Sequence, residues 1–526
     1  MAAADQPVRK VTIVGGGTAG WMTAAVLSQW LSQIEIRLIE SEEIGTVGVG
    51  EATIPHIRNF LPLAGLDELK MISETKATFK LGIQFVDWGE SGERYIHGFG
   101  KIGRDMLWLH PHQLWLAARE RTPEAVKSFD HYAINCVASL KNRFAFPDKR
   151  NPNSPLADID YAFHFDASLF ARMLRRESEA RGVTRIEGRI VEVVQHPETG
   201  FVERVRLNDG REVDGDLFVD CSGMRALLIG DALGVGYESW KQWLLCDRAQ
   251  AVPCTSAEPV TPYVRCTALK AGWLWRIPLQ HRIGNGHVYA SDLISDEEVS
   301  EALISNLDGE VLADPRPVRF APGRRLKAWD KNVVSLGLSS GFLEPLESTS
   351  IHLIQTGIQR LLGVFPATGF SAPDIDEYNR QAKFEAEDVR DFVIAHYKVT
   401  RRTGDPFWDH VRTMEVPDSL NERFELFRSS GRFFKHGAAE LFTEESWVQV
   451  LLGQGFDMRP DPVTRFLPDD QITSFLADVA EVIDDVASRM PDHGEFVRGL
   501  PPSTAPAQEG AQPSANFAVH YGRGAA

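Results

Sequence analysis

A carboxylate stands directly before a predicted helix start in the stretch GFLEPLESTS, residues 341–350. Ser348 or Thr349 suits the N-cap position, and the apolar residues that follow have helical spacing: Ile351, Ile354, Ile358 and Leu361. The free N–H groups of a helix start can hold a halide, a phosphate or the electron-rich edge of a reduced flavin. Glu347 is therefore either a solvated acid that favours the helix start or a catalytic base beside an anion site.

A second ionisable group, Lys80, lies in the stretch TFKLGIQFVDW, residues 78–88. The alternation predicts one strand with Phe79 and Phe85 on one face and Lys80 on the other. On its own, such a lysine is typical of a solvated strand face. His97 and Phe99 follow in YIHGFG, and their glycine neighbours predict a loop.

The element that would position a cofactor lies at the start of the chain. Residues 11–14 form a predicted strand, Gly15, Gly17 and Gly20 make a GxGxxG turn, and a helix and a second strand follow. Glu40 ends that second strand, where an acid can accept hydrogen bonds from the ribose hydroxyls of a dinucleotide. The pattern predicts an α/β dinucleotide-binding fold and leaves FAD and NAD both open.

Three further stretches contribute to the prediction of the fold. GTVGVGEATIP, residues 45–55, has glycines that permit a close backbone approach to a ligand. A strand ending in DCSG, residues 220–223, recurs in flavoproteins of the two-dinucleotide-binding type, and GWLWRIPL, residues 272–279, predicts a strand with two tryptophans on one face. We expect three regions: an α/β domain with pocket elements over residues 1–372, a helical lobe over 373–498 and a flexible tail over 499–526.

Composition excludes several classes of protein. The net charge of -17 disfavours a nucleic-acid partner. The five cysteines lack CxxC spacing, which favours reduced, buried side chains and no metal site. The N-terminal residues run straight into the first strand without a signal segment, and no apolar run approaches bilayer length. We therefore expect a cytoplasmic protein without membrane contact.

Five motifs in one order resemble the flavin-dependent tryptophan halogenases: GGGTAGW from Gly15, VGVGEATIP from Val47, TFKLGIQF from Thr78, GWLWRIPL from Gly272 and FLEPLESTS from Phe342. The resemblance covers residues 11–455, and residues 273–278 match the WxWxIP signature. It implies a two-dinucleotide-binding-type flavoprotein domain with a helical C-terminal substrate lobe. It also implies FAD supplied as FADH2 by a separate NAD(P)H-dependent flavin reductase, O2, a halide and a small aromatic substrate. The resemblance leaves a homodimer open.

The same resemblance implies roles for individual residues. A flavin hydroperoxide would oxidise chloride or bromide to hypohalous acid, and Lys80 would hydrogen-bond that oxidant or become a haloamine. Glu347 would take the ring proton or orient the electrophile against the ring. His97, Phe99 and Trp447 would line the substrate pocket, while Thr349 and Ser350 would hold the halide. The residues predicted to contact FAD are Gly15, Gly17, Thr18, Ala19, Gly20, Glu40, Ala52 and Ser348.

Two departures from the family pattern bear on specificity. Ser350 stands where the family commonly has glycine, which favours the less tightly hydrated bromide at least as much as chloride. The chain also has no tyrosine between Tyr397 and Tyr521, whereas free-tryptophan halogenases hold the amino acid with a tyrosine pair and a glutamate. We therefore expect a neutral indole or a larger aromatic substrate.

Two other functions remain open from the sequence. A flavin-dependent aromatic hydroxylase would share the fold and Glu40, although the Asp-Gly and Gly-Asp pairs expected of that class are replaced by DCSG and LGLSSGFLEP. A non-enzymatic flavin-binding interaction protein would rest on the helical C-terminal lobe.

Overall fold

The computed structural model describes residues 7–43, 50–437 and 440–501. Val47 to Val49 of the second glycine-rich motif and residues 502–526 of the predicted tail lie outside the described residues.

The helices occupy the beginning and, above all, the last third of the described chain. Their bounds are α1 Thr18–Trp30, α2 Ile57–Leu63, α3 Glu68–Thr75, α4 Pro111–Arg121, α5 Ile134–Leu140, α6 Ala167–Ala180, α7 Asp296–Ser305, α8 Ser350–Gly363, α9 Ala372–Lys398, α10 Pro406–Thr413, α11 Asp418–Ser430, α12 Glu444–Gly453, α13 Asp469–Ser488 and α14 His493–Arg498.

The strands lie between them in several sheets. Their bounds are β1 Lys10–Val14, β2 Glu35–Glu40, β3 Gly50–Ala52, β4 Thr78–Lys80, β5 Gly82–Val86, β6 Arg94–Gly98, β7 Ala162–Asp166, β8 Thr184–Glu187, β9 Ile190–Gln195, β10 Val202–Leu207, β11 Glu212–Asp214, β12 Leu217–Asp220, β13 Tyr237–Ser239, β14 Arg248–Cys254, β15 Tyr263–Leu269, β16 Gly272–Pro278, β17 Ile283–Tyr289, β18 Arg316–Arg319, β19 Gly323–Arg325, β20 Trp329–Asp330, β21 Val333–Ser335 and β22 Gly341–Phe342.

The N-terminal unit has the predicted strand, turn, helix and strand. β1 lies in a six-stranded sheet with the order β20-β21-β12-β1-β2-β8, in which β1 pairs in parallel with both β2 and β12. Helix α1 packs on β1 and β2, and helices α6 and α8 pack on α1. All four apolar residues predicted for the inward face of α8 are buried in the core of this unit.

A second, seven-stranded sheet carries the pocket elements, in the order β18-β14-β17-β16-β15-β5-β6. The WxWxIP motif forms its strand β16, which pairs with β15 and β17. Helix α12 packs on β6 at one edge of this sheet, and the long helix α9 packs on α10, α11 and α12. The last third of the described chain is therefore the mostly helical part that the sequence predicts.

The predicted single strand over residues 78–88 is wrong. The chain breaks at Leu81 into β4, which pairs with β7, and β5, which pairs with β6 and β15. Leu81 bonds instead to Pro262 and Phe99 through its backbone. Lys80 is thus the last residue of β4, two positions before β5 begins in another sheet. The side chains on both faces of β4 are buried.

The loop predicted around His97 is also wrong, since His97 lies within β6 opposite Ile83 of β5. All five cysteines are free and buried. Within the described ranges, no helix is long and apolar enough to cross a membrane. The same residues contain no cluster of three or more His, Cys, Asp or Glu side chains that could hold a metal ion.

Candidate active site

Glu347 lies in the interior of the molecule, not on a solvated helix start. It ends a short 3-10 turn, Pro345–Glu347, just ahead of α8, and only 1% of its surface is exposed. His97 Nδ1 of β6 lies 2.9 Å from Oε2 and 3.1 Å from Oε1. His396 Nε2 of α9 lies 2.8 Å from Oε1. Two histidines from distant parts of the chain therefore enclose one buried carboxylate.

These imidazoles determine the charge of the carboxylate. Burial by itself raises the pKa of Glu347, but the contacts with His97 and His396 outweigh burial and lower the pKa to about 2. A carboxylate of this kind is ionised at neutral pH and still accepts a proton from a much stronger acid. The cationic intermediate of an aromatic substitution is such an acid.

The orientation of His396 fixes where one proton must lie. Its Nδ1 is 2.8 Å from the carbonyl oxygen of Phe392, and a carbonyl only accepts, so Nδ1 carries a hydrogen. The other nitrogen, Nε2, faces Glu347 in a close polar contact whose direction is poor for a hydrogen bond. Nδ1 is therefore bonded to the backbone, and Nε2 is the nitrogen that faces the carboxylate of Glu347.

Lys80 is the buried cation of the same site. Its side chain is 0% exposed, its Nζ donates to Ser348 Oγ at 2.9 Å, and the ring of Phe99 lies 5.2 Å from Nζ. Burial lowers the pKa of Lys80 to about 7, although the charge of Glu347 opposes the shift. A substantial fraction of neutral amine is therefore present near pH 7.

The residues predicted to form the substrate pocket are linked by one aromatic ring. Phe392 lies 5.7 Å from His97 and 4.8 Å from Trp447, measured between ring centroids. Trp447 is buried on α12. The structure thus brings Lys80, Glu347, His97 and Phe99 to one place. Trp447 is connected to this group through the ring of Phe392.

Glu440, an acidic residue shortly before α12, already has partners within the protein. The guanidinium of Arg423 lies 4.6 Å from the Trp447 ring centroid, and it donates to Glu440 at 3.1 Å. The backbone N–H of His436 donates to the same carboxylate. Both contacts use Oε1 of Glu440, whereas its buried Oε2 has no hydrogen-bond partner in the described part of the chain.

The start of α8 differs in detail from the prediction. Thr349 occupies the N-cap position but makes no capping hydrogen bond through its side chain, and its buried hydroxyl has no partner within the described part of the chain. Ser348 adopts a left-handed conformation with φ 58° and bonds to Lys80 instead of capping. Thr349 and the half-buried Ser350 consequently leave the first turn of α8 without a side-chain cap.

The glycine turn after β1 fits a dinucleotide phosphate. Gly15 has φ 113°, where a Cβ would clash with the backbone of Cys221. Gly17 forms the N-cap of α1 without a side-chain cap, and a Cβ there would meet no atom within 4 Å. The turn therefore leaves open space over helix N–H groups, as a bound pyrophosphate requires.

Further residues predicted to contact FAD lie in α1, β2 and β3. Thr18, Ala19 and Gly20 begin α1, and Ala52 is buried at the end of β3. The carboxylate of Glu40 lies beside Gly16. Its carboxylate also contacts Arg185 and accepts a hydrogen bond from Trp21 Nε1 at 3.2 Å, so ribose recognition would occur beside these partners.

Comparisons with known proteins agree with this architecture. The tryptophan halogenase family matches residues 10–469 of the chain. Tryptophan 6-halogenase SttH of Streptomyces toxytricini is 35% identical over 481 residues, which cover 86% of this chain and 91% of that protein. Tryptophan 7-halogenase RebH of Lentzea aerocolonigenes is 35% identical over 448 residues, or 80% of this chain and 82% of that protein. The solved structure of Xcc4156, a flavin-dependent halogenase from Xanthomonas campestris, has a TM-score of 0.90 and 48% identity, and covers 95% of this chain and 100% of that chain.

A mainly parallel sheet with a glycine turn, together with a separate buried acid and amine, is the architecture of an α/β enzyme of the dinucleotide-binding type. The chain belongs to the tryptophan halogenase family and is a flavin-dependent halogenase. The predicted fold class and family are thereby confirmed, while the roles of individual residues stay predictions.

Sequence reasoning missed His396 and two residues discussed below, Glu344 and Tyr397. His396 lies on the buried face of a long charged helix, 49 positions after Glu347, and its spacing is that of ordinary core packing. Only the folded arrangement brings its ring to the carboxylate.

Proposed function

We propose that this enzyme halogenates a neutral, electron-rich aromatic of the indole type, with bromide used at least as well as chloride. The observation that carries the proposal is the burial of Lys80 and Glu347 in one site, where Lys80 donates a hydrogen bond to Ser348, the residue after Glu347. An amine and a carboxylate shielded from water are suited to handling an oxidised halogen and a ring proton in turn.

The chain's own residues would hold the cofactor and the halide. The glycine turn with Glu40 would bind reduced FAD, which would give two electrons to O2 so that the halide is oxidised by two electrons to hypohalous acid, with water as the second product. The uncapped N–H groups at the start of α8 and the unpartnered hydroxyl of Thr349 would bind the halide. A separate NAD(P)H-dependent reductase would supply the reduced flavin.

Lys80 would carry the halogen to the ring. Its neutral amine attacks the halogen of hypohalous acid, so that an N–X bond forms, the O–X bond breaks and water leaves. The aromatic carbon then attacks the same halogen, the N–X bond breaks, and the nitrogen takes up one proton to regenerate the amine. The ring proton that Glu347 accepts balances the proton taken up by the nitrogen. Glu347, held ionised by His97 and His396, accepts the ring proton and restores aromaticity.

The preference for a neutral substrate follows from the surroundings of Trp447. A site that recognises free tryptophan needs charged side chains of the protein that pair with the ammonium and the carboxylate of the substrate. Such side chains are costly to bury when they have no partner. Here the charge of Glu440 is paired with that of Arg423. The described part of α12 and its N-terminal flank contains no tyrosine.

The function is tested with purified protein, chemically reduced FAD, O2, bromide and indole, analysed by mass spectrometry. We expect a product with the bromine isotope pair and a kcat/KM for indole at least about tenfold above that for L-tryptophan. Tryptamine and indole-3-propionate, which carry one charge each, identify which charge is rejected. A hydroxylated product, or faster turnover of L-tryptophan, would contradict the proposal.

Ser350 is expected to set the halide preference. The variant Ser350→Gly removes a side chain from the first turn of α8, and we expect chlorination to gain about fivefold relative to bromination, the effect of ~1 kcal/mol. The ratio is measured by competition at equal concentrations of the two halides. Ser371→Gly is the matched control, since Ser371 also stands at a helix start without a side-chain cap. Faster chlorination than bromination by the unmodified enzyme would show that Ser350 does not act in this way.

A further inference from the structure

One buried acid near the site has no part in the reaction proposed above. Glu344 lies three residues before Glu347 on the same loop and is 0% exposed. Its Oε2 accepts hydrogen bonds from Trp273 Nε1 at 3.1 Å and from the Tyr397 hydroxyl at 2.5 Å. Burial raises the pKa of Glu344 to about 7, against the effect of these two donors. A buried acid is costly, so its retention calls for a physical reason.

The two donors come from separate elements. Trp273 lies on β16, in the middle of the seven-stranded sheet, and Tyr397 lies near the end of α9. A single carboxylate oxygen of Glu344 therefore joins the sheet, the helix and the loop. His396, the neighbour of Tyr397, contacts Glu347, so consecutive residues of α9 hold both carboxylates of the loop.

The loop needs such fixation because its backbone is short and strained. It consists of the 3-10 turn that begins at Pro345 and ends at Glu347, followed by Ser348 in a left-handed conformation that is unfavourable for a residue other than glycine. A displacement of about 1 Å can reduce the rate of a positioned reaction about 100-fold. The placement of Glu347 and of Ser348, the partner of Lys80, therefore depends on what holds residue 344.

We propose that Trp273 and Tyr397 are positioning residues that act through Glu344 to fix the loop carrying Glu347 and Ser348. The first tryptophan of the WxWxIP motif thus serves as a hydrogen-bond donor to the catalytic loop, in addition to filling the core. The part of the inference that concerns catalysis rests on the proposed function, whereas the part that concerns the loop does not.

The motif contains its own control. Trp275 is also buried, two residues along the same strand, and its indole N–H has no hydrogen-bond partner within the described part of the chain. Replacing either tryptophan by phenylalanine removes the same volume and one N–H. Only Trp273→Phe removes a bond to Glu344.

The experiment compares Trp273→Phe and Tyr397→Phe with Trp275→Phe in two measurements. The first is hydrogen exchange of the backbone amides of residues 343–350, which requires no turnover. We expect at least about tenfold faster exchange in the first two variants than in Trp275→Phe, the effect of a lost hydrogen bond worth ~1.4 kcal/mol. Equal exchange in all three variants would overturn the proposal, whether or not the enzyme halogenates indole.

The second measurement is steady-state halogenation with the yield of halogenated product per FADH2 consumed. Trp273→Phe is expected to lower kcat about tenfold and to lower the yield, with the KM for the aromatic within about twofold. Adding Glu344→Gln to Trp273→Phe should cause little further loss, because the two residues act through one bond.

A Trp273→Phe enzyme equal to Trp275→Phe in kcat and yield, or fully additive losses in the double variant, would contradict the proposal. Absence of halogenation by the unmodified enzyme would refute the proposed function alone, because the exchange result stands by itself.

Discussion

Lys80→Ala is expected to lower aromatic halogenation by at least about 10³-fold, because it removes the amine that carries the halogen. FAD affinity should stay within about twofold, since the glycine turn that would bind the cofactor lies in a different sheet. Halogenated indole is quantified by mass spectrometry, and FAD binding by the change in flavin fluorescence.

Two other substitutions separate the possible roles of this lysine. Lys80→Met keeps the length and the apolar stem, and Lys80→Arg keeps a positive charge that cannot be lost near neutral pH. Both should be as inactive as Lys80→Ala if the neutral amine attacks the halogen. Substantial activity in Lys80→Arg would mean that a fixed hydrogen-bond donor is sufficient, and substantial activity in Lys80→Ala would exclude any essential role.

The pH dependence of halogenation follows from the same group. Burial lowers the pKa of Lys80 to about 7, so the neutral amine is the minor form below that value and the major form above it. The single-turnover halogenation rate should therefore rise between about pH 6 and about pH 8 and then level off. A rate that falls over this interval would indicate that the protonated form is required.

Glu347→Gln is the second large expected effect, a loss of about 10²- to 10³-fold in kcat, typical of a missing general base. The amide has nearly the same shape as the carboxylate, so the KM for the aromatic should change little. The rates are measured with saturating indole and excess reduced FAD. Glu347→Asp retains the charge but withdraws it from His97 and His396, and its activity should lie between those of Glu347→Gln and the unmodified enzyme.

The outcome for Glu347→Gln has a clear alternative. A kcat within about threefold of the unmodified enzyme would mean that another group, or water, takes the ring proton. A large increase in KM with unchanged kcat would indicate that Glu347 only binds the substrate.

The local parts of the fold could be predicted from the sequence because their causes are local. The turn from Gly15 to Gly20 needs glycine for its backbone angles and close contacts, and the inward face of α8 follows from apolar spacing. The order of five motifs then sufficed to identify the family. Each of these features depends on residues within one or two neighbouring elements.

The site itself depends on contacts between distant segments. The chain breaks after Lys80 because Leu81 bonds to segments around residues 99 and 262, which alternation along one strand cannot reveal. His97 lies in a strand because β5 pairs with it, although its glycine neighbours favour a loop. His396 and Tyr397 are 49 and 53 residues from the carboxylates they contact, Glu347 and Glu344.

The protonation of the site is likewise a property of the fold. Lys80 alone is typical of a solvated strand lysine, and Glu347 alone of a solvated helix start. Complete burial lowers the pKa of Lys80, while two imidazoles lower the pKa of Glu347. The same residue types on a surface would be a permanent cation and an ordinary acid.

The central claim is that Lys80 holds the oxidised halogen until the aromatic arrives, and one single-turnover measurement tests it directly. Enzyme with reduced FAD is mixed with O2 and bromide, free methionine is added to destroy released hypobromous acid, and indole is added last. The account predicts bromoindole in an amount comparable to the enzyme present, and none with Lys80→Met. Absence of bromoindole from the unmodified enzyme, under conditions where it brominates indole present from the start, would contradict the claim.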